Sequence, residues 1–168
     1  MRILGIDPGI AIVGWGVVDK EGNRYKTIAY DAVTTKAHTP LVDRLEKVHD
    51  GIDEIIKTYK PDAISIEELF FNNNAKTALT VGQARGVILL AAVKNNIPVY
   101  EYTPLQVKQA LTGYGRASKG QIQQMMKSML GLSEVPKPDD VADALAIAVC
   151  HGNSMRFNSI KQFGGIQL

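Results

Sequence analysis

Hydrophobic positions along this chain recur with a period of two in some stretches and of three to four in others, and the switches mark its elements. Ile3, Leu4 and Ile6 form a short apolar run closed by Asp7-Pro8-Gly9, which reads as a buried strand ending in a carboxylate. Pro8 cannot donate to a ladder and Gly9 permits a tight backbone, so the strand stops there. Residues 12–18, rich in Val, Gly and Trp, predict a second strand, joined to the first by a turn around Gly9 to Ala11. Asp19-Lys20-Glu21-Gly22-Asn23 reads as a hairpin connection into a third strand over residues 24–34. Three strands in succession with short turns predict an antiparallel meander.

The period then lengthens. Leu41, Leu45, Val48, Ile52, Ile56 and Tyr59 recur at spacings of three and four with charges between them, an amphipathic helix over residues 40–59. Thr39-Pro40 is read as its N-cap and first-turn proline, and Pro61 ends it. A short strand over residues 62–67 again terminates in a carboxylate, Glu67, and residues 69–74 read as an exposed loop. Residues 75–95 predict a long helix that is apolar on more than one face and so needs two burial surfaces. The sheet is one; in so small a domain, a second subunit related by a two-fold axis is the expected other. A fifth strand follows at 97–102. Thr103-Pro104-Leu105-Gln106 and Ser118-Lys119-Gly120-Gln121 each fit a capping box that opens a helix, and the second helix ends near Gly131. The last helix is expected over 140–151, with Gly152 as its stop. These elements predict an α/β fold with a mixed five-stranded sheet flanked by helices, one domain over residues 1–152 and a polar tail over 153–168.

Composition narrows the class. With 168 residues, one domain can hold one sizeable core. No uninterrupted apolar run reaches the ~18 residues that cross a bilayer, so no membrane association is expected. The first strand is interrupted by Asp7 and does not read as a signal peptide. A lone cysteine, Cys150, excludes an internal disulfide and fits a reducing, cytoplasmic setting. Its apolar helical surroundings make it buried filler rather than a nucleophile. Three scattered His and one Cys form no zinc-type cluster.

Charge is uneven. The net charge is +2, but residues 69–133 carry seven Lys or Arg against one acid, Glu101. A local basic field of +6 suits a polyanionic partner. Against it stand carboxylates that the elements bring together. Asp7 and Glu67 both end apolar strands, and the last helix opens with Asp139-Asp140-Val141-Ala142-Asp143, where spacings of three and four put Asp143 on a face with Asp140 or Asp139. Clustered like charges repel unless a cation lies among them, and hard oxygen ligands select Mg²⁺ or Mn²⁺ over zinc. Each acid has its own plainer role, as a helix cap, a surface charge or, for Glu68, a loop acid. Taken together beside a basic segment, they favour metal-dependent phosphate chemistry.

Four stretches then carry a family likeness. Gly5-Ile6-Asp7-Pro8-Gly9, Ile66-Glu67-Glu68-Leu69-Phe70, Gly82-Gln83-Ala84-Arg85-Gly86 and Asp140-Val141-Ala142-Asp143-Ala144-Leu145-Ala146 resemble, in order and spacing, the RuvC family of Holliday-junction resolvases; Val107-Lys108-Gln109 and Ser118-Lys119 match as well. The resemblance spans about residues 2–151. It implies an RNase H-like fold, a cytoplasmic homodimer, and Mg²⁺-dependent paired nicking of four-way junction DNA, with a RuvA–RuvB branch-migration complex as partner. By position it implies Asp7, Glu67, Asp140 and Asp143 as catalytic metal ligands, selecting Glu67 over Glu68 and Asp140 over Asp139. Asp140 stands where some relatives carry His. It further implies catalytic and DNA-binding roles for Lys119, a DNA contact for Lys108, and base stacking for Phe70. Arg116, in the basic loop, is expected to hold phosphate, and Arg85 could serve either DNA or a structural ion pair.

Overall fold

The computed structural model of the protein describes residues 1–68 and 75–158. Five strands, β1 (Arg2–Asp7), β2 (Ile12–Glu21), β3 (Arg24–Thr34), β4 (Ala63–Glu67) and β5 (Val99–Tyr102), form one sheet in the order β3-β2-β1-β4-β5. The first three pair antiparallel, while β1–β4 and β4–β5 pair parallel, so the sheet is mixed as the meander predicts. Helices α1 (Leu41–Tyr59) and α2 (Ala75–Lys94) cover one face, with Leu4, Ile6, Ile64 and Ile66 packing against Ile52 and Ile88. Helices α3 (Pro104–Thr112), α4 (Lys119–Met129) and α5 (Asp139–Asn158) cover the other, where Ile3, Val18 and Tyr102 meet Leu145 and Met126. Alternation along β1 therefore sends Leu4 and Ile6 to one layer and Ile3, Gly5 and Asp7 to the other.

Helix α5 lies directly on the sheet because glycines make room for it. A Cβ on Gly5 would stand 2.0 Å from the Ala144 carbonyl oxygen, and one on Gly14 would stand 2.0 Å from that of Asp140. Gly14 is paired with Asp7 across β1–β2. The close approach thus sets the acidic start of α5 beside the acidic end of β1.

Three local readings need correction or completion. Thr39 does not cap α1; Pro40 occupies the N-cap with extended ψ of 141°, and no side-chain cap forms. With the helix starting at Leu41, Thr39 is one residue too early to reach the first free amides. Both capping boxes, at Thr103–Gln106 and Ser118–Gln121, are complete. Gly152 does not stop the last helix, which continues to Asn158. Its missing side chain serves packing instead: a Cβ there would meet the Tyr25 hydroxyl at 2.3 Å, and that hydroxyl donates to Val149 O or Asn153 Oδ1.

Within α2, the window Thr77–Lys94 has a mean hydropathy of 1.2, long and apolar enough by composition alone to cross a bilayer. Its inner face is built for a globular core: Ala84, Ile88, Ala91 and Ala92 are buried against the sheet and α1. Leu79, Leu90 and Val93 are 65%, 51% and 68% exposed, a stripe along the outer face that nothing in this chain covers among the described residues. The helix apolar on two faces thus buries only one of them within the monomer.

Candidate active site

Strand ends and a helix start bring four carboxylates together. Ile6 pairs with Ile66, so Asp7 and Glu67 emerge side by side from parallel strands on the α5 face. Asp140 and Asp143 reach them from the first turns of α5, seated by Gly14 and Gly5. The electrostatics record the convergence. The Asp7 carboxyl is pushed up to about 8, first by burial and then by the charges of Glu67, Asp143 and Asp140. Glu67 is raised by burial and by Asp143. Asp143 is raised by burial, against the opposing pull of Lys119.

An ammonium group offsets part of the cluster's charge. A hydrogen bond between Asp7 and Glu67 raises Asp7 further and holds Glu67 down against its burial. Lys119, the first residue of α4, reaches Asp143 at 2.9 Å and Asp139 at 3.5 Å. Its own charge is held above the usual lysine range, chiefly by the Asp143 hydrogen bond. Asp139 is drawn outward by Lys137 at 2.7 Å and lies well below the ordinary carboxylate range. Lysines hold Asp139, while the charges of Asp139 and Asp140 both act on Asp143 and that of Asp140 also acts on Asp7.

Among the described residues, no three His, Cys, Asp or Glu side chains already close around one point as ligands. The donor set is nonetheless all carboxylate oxygen and too negative to stay together uncompensated, which fits a hard divalent cation rather than zinc. A cation there would displace the shared proton, since ligating carboxylates must be ionised.

Lys108, on α3, lines the same recess as Glu67, Asp143 and Lys119, a cleft of about 210 Å³. Arg116 is exposed on the loop between α3 and α4 and does not line that cleft. Phe70, the expected stacking residue, and the 69–74 loop lie outside the described residues. Arg85 takes the structural alternative: it is largely buried on α2 and pairs with Glu101 of β5 at 2.5 Å. Cys150 is a buried free thiol, its pKa pushed up to about 11 by burial, as expected of filler. Sequence reasoning missed two supports of the site. One is Lys137, whose spacing of two from Asp139 was the available signal. The other is the pair Gly5 and Gly14, which sit across the ladder from residues where side chains would normally pack.

Known proteins resemble this chain in sequence and fold. The family model described as crossover junction endodeoxyribonuclease RuvC matches residues 3–151. A Clostridioides difficile protein, crossover junction endodeoxyribonuclease RuvC, is 59% identical over 166 residues, covering 98% of each chain. The solved Thermus thermophilus RuvC structure aligns with a TM-score of 0.88 at 40% identity, over 94% of this chain and 97% of that one. The same organism's RuvC in complex with Holliday junction substrate gives 0.87 at 38% identity, over 95% and 98%.

Proposed function

The chain belongs to the RuvC family of crossover junction endodeoxyribonucleases, nucleases that resolve four-way DNA junctions, and from that premise we propose that Asp7, Glu67, Asp140 and Asp143 form its catalytic centre. The observation that carries this reading is the half-buried convergence of these acids, with Asp7 pushed up to about 8 by burial and then by its neighbours' charges. RuvC nucleases depend on a divalent metal; we assign Mg²⁺ as the ion, two per site, with Mn²⁺ as a substitute. Bound there, the metal supplies Lewis-acid activation of water and stabilisation of the leaving oxygen. The chain's own residues do the rest. Asp7, Glu67, Asp140 and Asp143 provide the oxygen donors. Lys119, tethered by Asp143, holds a positive charge at the rim, where the phosphodiester gains negative charge in the transition state. Lys108, Lys119 and Arg116 hold phosphates, so binding weakens steeply with salt.

The substrate, four-way junction DNA, has two-fold symmetry, and paired nicks require two centres. The exposed apolar stripe of Leu79, Leu90 and Val93 on α2 supports a homodimer, as a single subunit leaves that face open to water. The remaining parts of the proposal are stacking by Phe70, a nuclease domain over 1–152, a RuvA–RuvB complex as partner and a cytoplasmic location. The free thiol of Cys150 suits the last of these. The test is a titration of a labelled junction with protein in Mg²⁺, Mn²⁺, Ca²⁺ or chelator. Cutting in the first two alone is expected; cutting that survives chelation, or none with any ion, contradicts the assignment.

A further inference from the structure

Asp139 opens α5 beside the carboxylate cluster, and lysines meet both of its oxygens. Its Oδ1 accepts from Lys137 Nζ at 2.7 Å, and its Oδ2 lies 3.5 Å from Lys119 Nζ. The Lys119 ammonium therefore has two seats, the nearer being Asp143 Oδ2 at 2.9 Å. The two acids stand four residues apart on one face of α5, so a short movement carries the ammonium from one to the other. They differ in place. Asp143 lines the cleft with Lys119 and Glu67, whereas Asp139 does not and is the more exposed of the two. The start of α4 gives a lysine no help of its own. Lys119 is the first residue of that helix, where a cation opposes the dipole, and a complete capping box at Ser118 and Gln121 fixes the backbone there. What holds its charge in place is the pair of acids on the neighbouring helix.

Exposed ion pairs contribute little to stability, so the consequence of this one lies in where it keeps the ammonium. That matters once Asp143 serves as a metal ligand. A divalent cation repels an ammonium group that shares its carboxylate, and the flexible four-carbon stem of lysine then swings away unless a second acceptor is within reach. We propose that Asp139 is a positioning residue, the seat that keeps Lys119 at the rim of the site when Asp143 turns to the metal. Lys137, on the other oxygen, offsets the charge that Asp139 would otherwise add beside the cluster. The inference rests on the metal-dependent nuclease reading above and adds to it a residue that acts through Lys119.

The experiment compares wild type with Asp139→Asn, which keeps the shape and removes the charge, and follows the ammonium directly. Heteronuclear NMR of the lysine Nζ groups reports how ordered the Lys119 ammonium is, its signal being identified by its loss in Lys119→Met. In chelator it should be ordered in both proteins, because Asp143 holds it. In Ca²⁺ it should stay ordered in wild type and rotate freely in Asp139→Asn; equal ordering in the two would overturn the proposal. Kinetics supply the second measurement. On four-way junctions in saturating Mg²⁺, Asp139→Asn should lower the single-turnover rate about 10-fold while junction affinity in Ca²⁺ is not weakened. In a Lys119→Met background the same substitution should change nothing further. An acid that merely repels DNA would, once neutralised, tighten binding and leave the rate unchanged, and that result would overturn the proposal. So would a loss of rate that persists in Lys119→Met. If wild type cuts no junction in Mg²⁺ or Mn²⁺, the nuclease reading itself fails, and the NMR comparison in Ca²⁺ still decides whether Asp139 holds the ammonium.

Discussion

At the scale of single residues, the site holds charge that the fold alone does not favour. Asp7 is raised from 3.8 to about 8 because burial and three neighbouring acids penalise its ionised form. The sign follows from linkage. The folded chain binds this proton more tightly than the unfolded chain, so the stabilisation is full below about pH 4 and is lost as pH rises through about 8. Asp7→Asn removes the repelled charge. The variant should therefore melt higher than wild type in chelator at pH 8, by roughly 2–4 °C per kcal/mol relieved in a chain of this size. Differential scanning calorimetry at pH 5 and pH 8 checks it, with the gap expected to be larger at pH 8 than at pH 5. His151 behaves in the opposite sense. It is 1% exposed, bonded through Nδ1 to the Tyr102 hydroxyl at 2.7 Å, and its pKa is lowered to about 4, chiefly by burial. A base kept neutral in this way contributes stability that is full above pH 6.5 and is lost as pH falls to about 4. Denaturant titrations should show about 3 kcal/mol of loss across that window in wild type, and a flatter profile in His151→Gln.

At the scale of elements, the site depends on how closely α5 approaches the sheet. Gly14→Ala puts a methyl group into the Asp140 carbonyl, so α5 must shift away from β1 and β2. A displacement near 1 Å costs on the order of 10²-fold in rate, and overpacking costs about 1–3 kcal/mol. Cleavage should therefore fall much further than stability, measured by single-turnover cutting and thermal melting together. Helix α2 makes a separate prediction. Leu90→Glu places a charge in the exposed stripe and should shift sedimentation from dimer to monomer while leaving the far-ultraviolet spectrum unchanged. Periodicity made these elements legible because each buries one face with its own repeat. The ends of α1 and α5 were not, because Thr39 stands one residue too early to cap and Gly152 matches a local signal that distant packing overrides. Gly152 resembles a helix stop until Tyr25, 127 residues earlier in the chain, is seen to fill the space beside it.

At the scale of the molecule, a basic middle segment and an acidic cluster, separate in sequence, become the two sides of one cleft. Lys119 and Lys108 come from that segment, and Glu67 and Asp143 from two distant positions. The sequence carried the residue types and their placement at strand ends and a helix start, which sufficed to suspect metal-dependent phosphate chemistry. Spacing alone could not separate Asp140 from Asp139 or Glu67 from Glu68. Asp139 is held by Lys137 and Lys119, and the charge of Asp140 acts on Asp7, which supports the choice of Asp140. The most direct measurement of the account is cleavage of a four-way junction carrying a different label on each strand, in saturating Mg²⁺, by wild type and by Asp7→Asn. Wild type should nick two opposed strands at matching positions, and Asp7→Asn should bind the junction equally while cutting it on the order of 10²-fold more slowly or worse. Cutting by Asp7→Asn at the wild-type rate, or wild-type nicks scattered without symmetry, would contradict it.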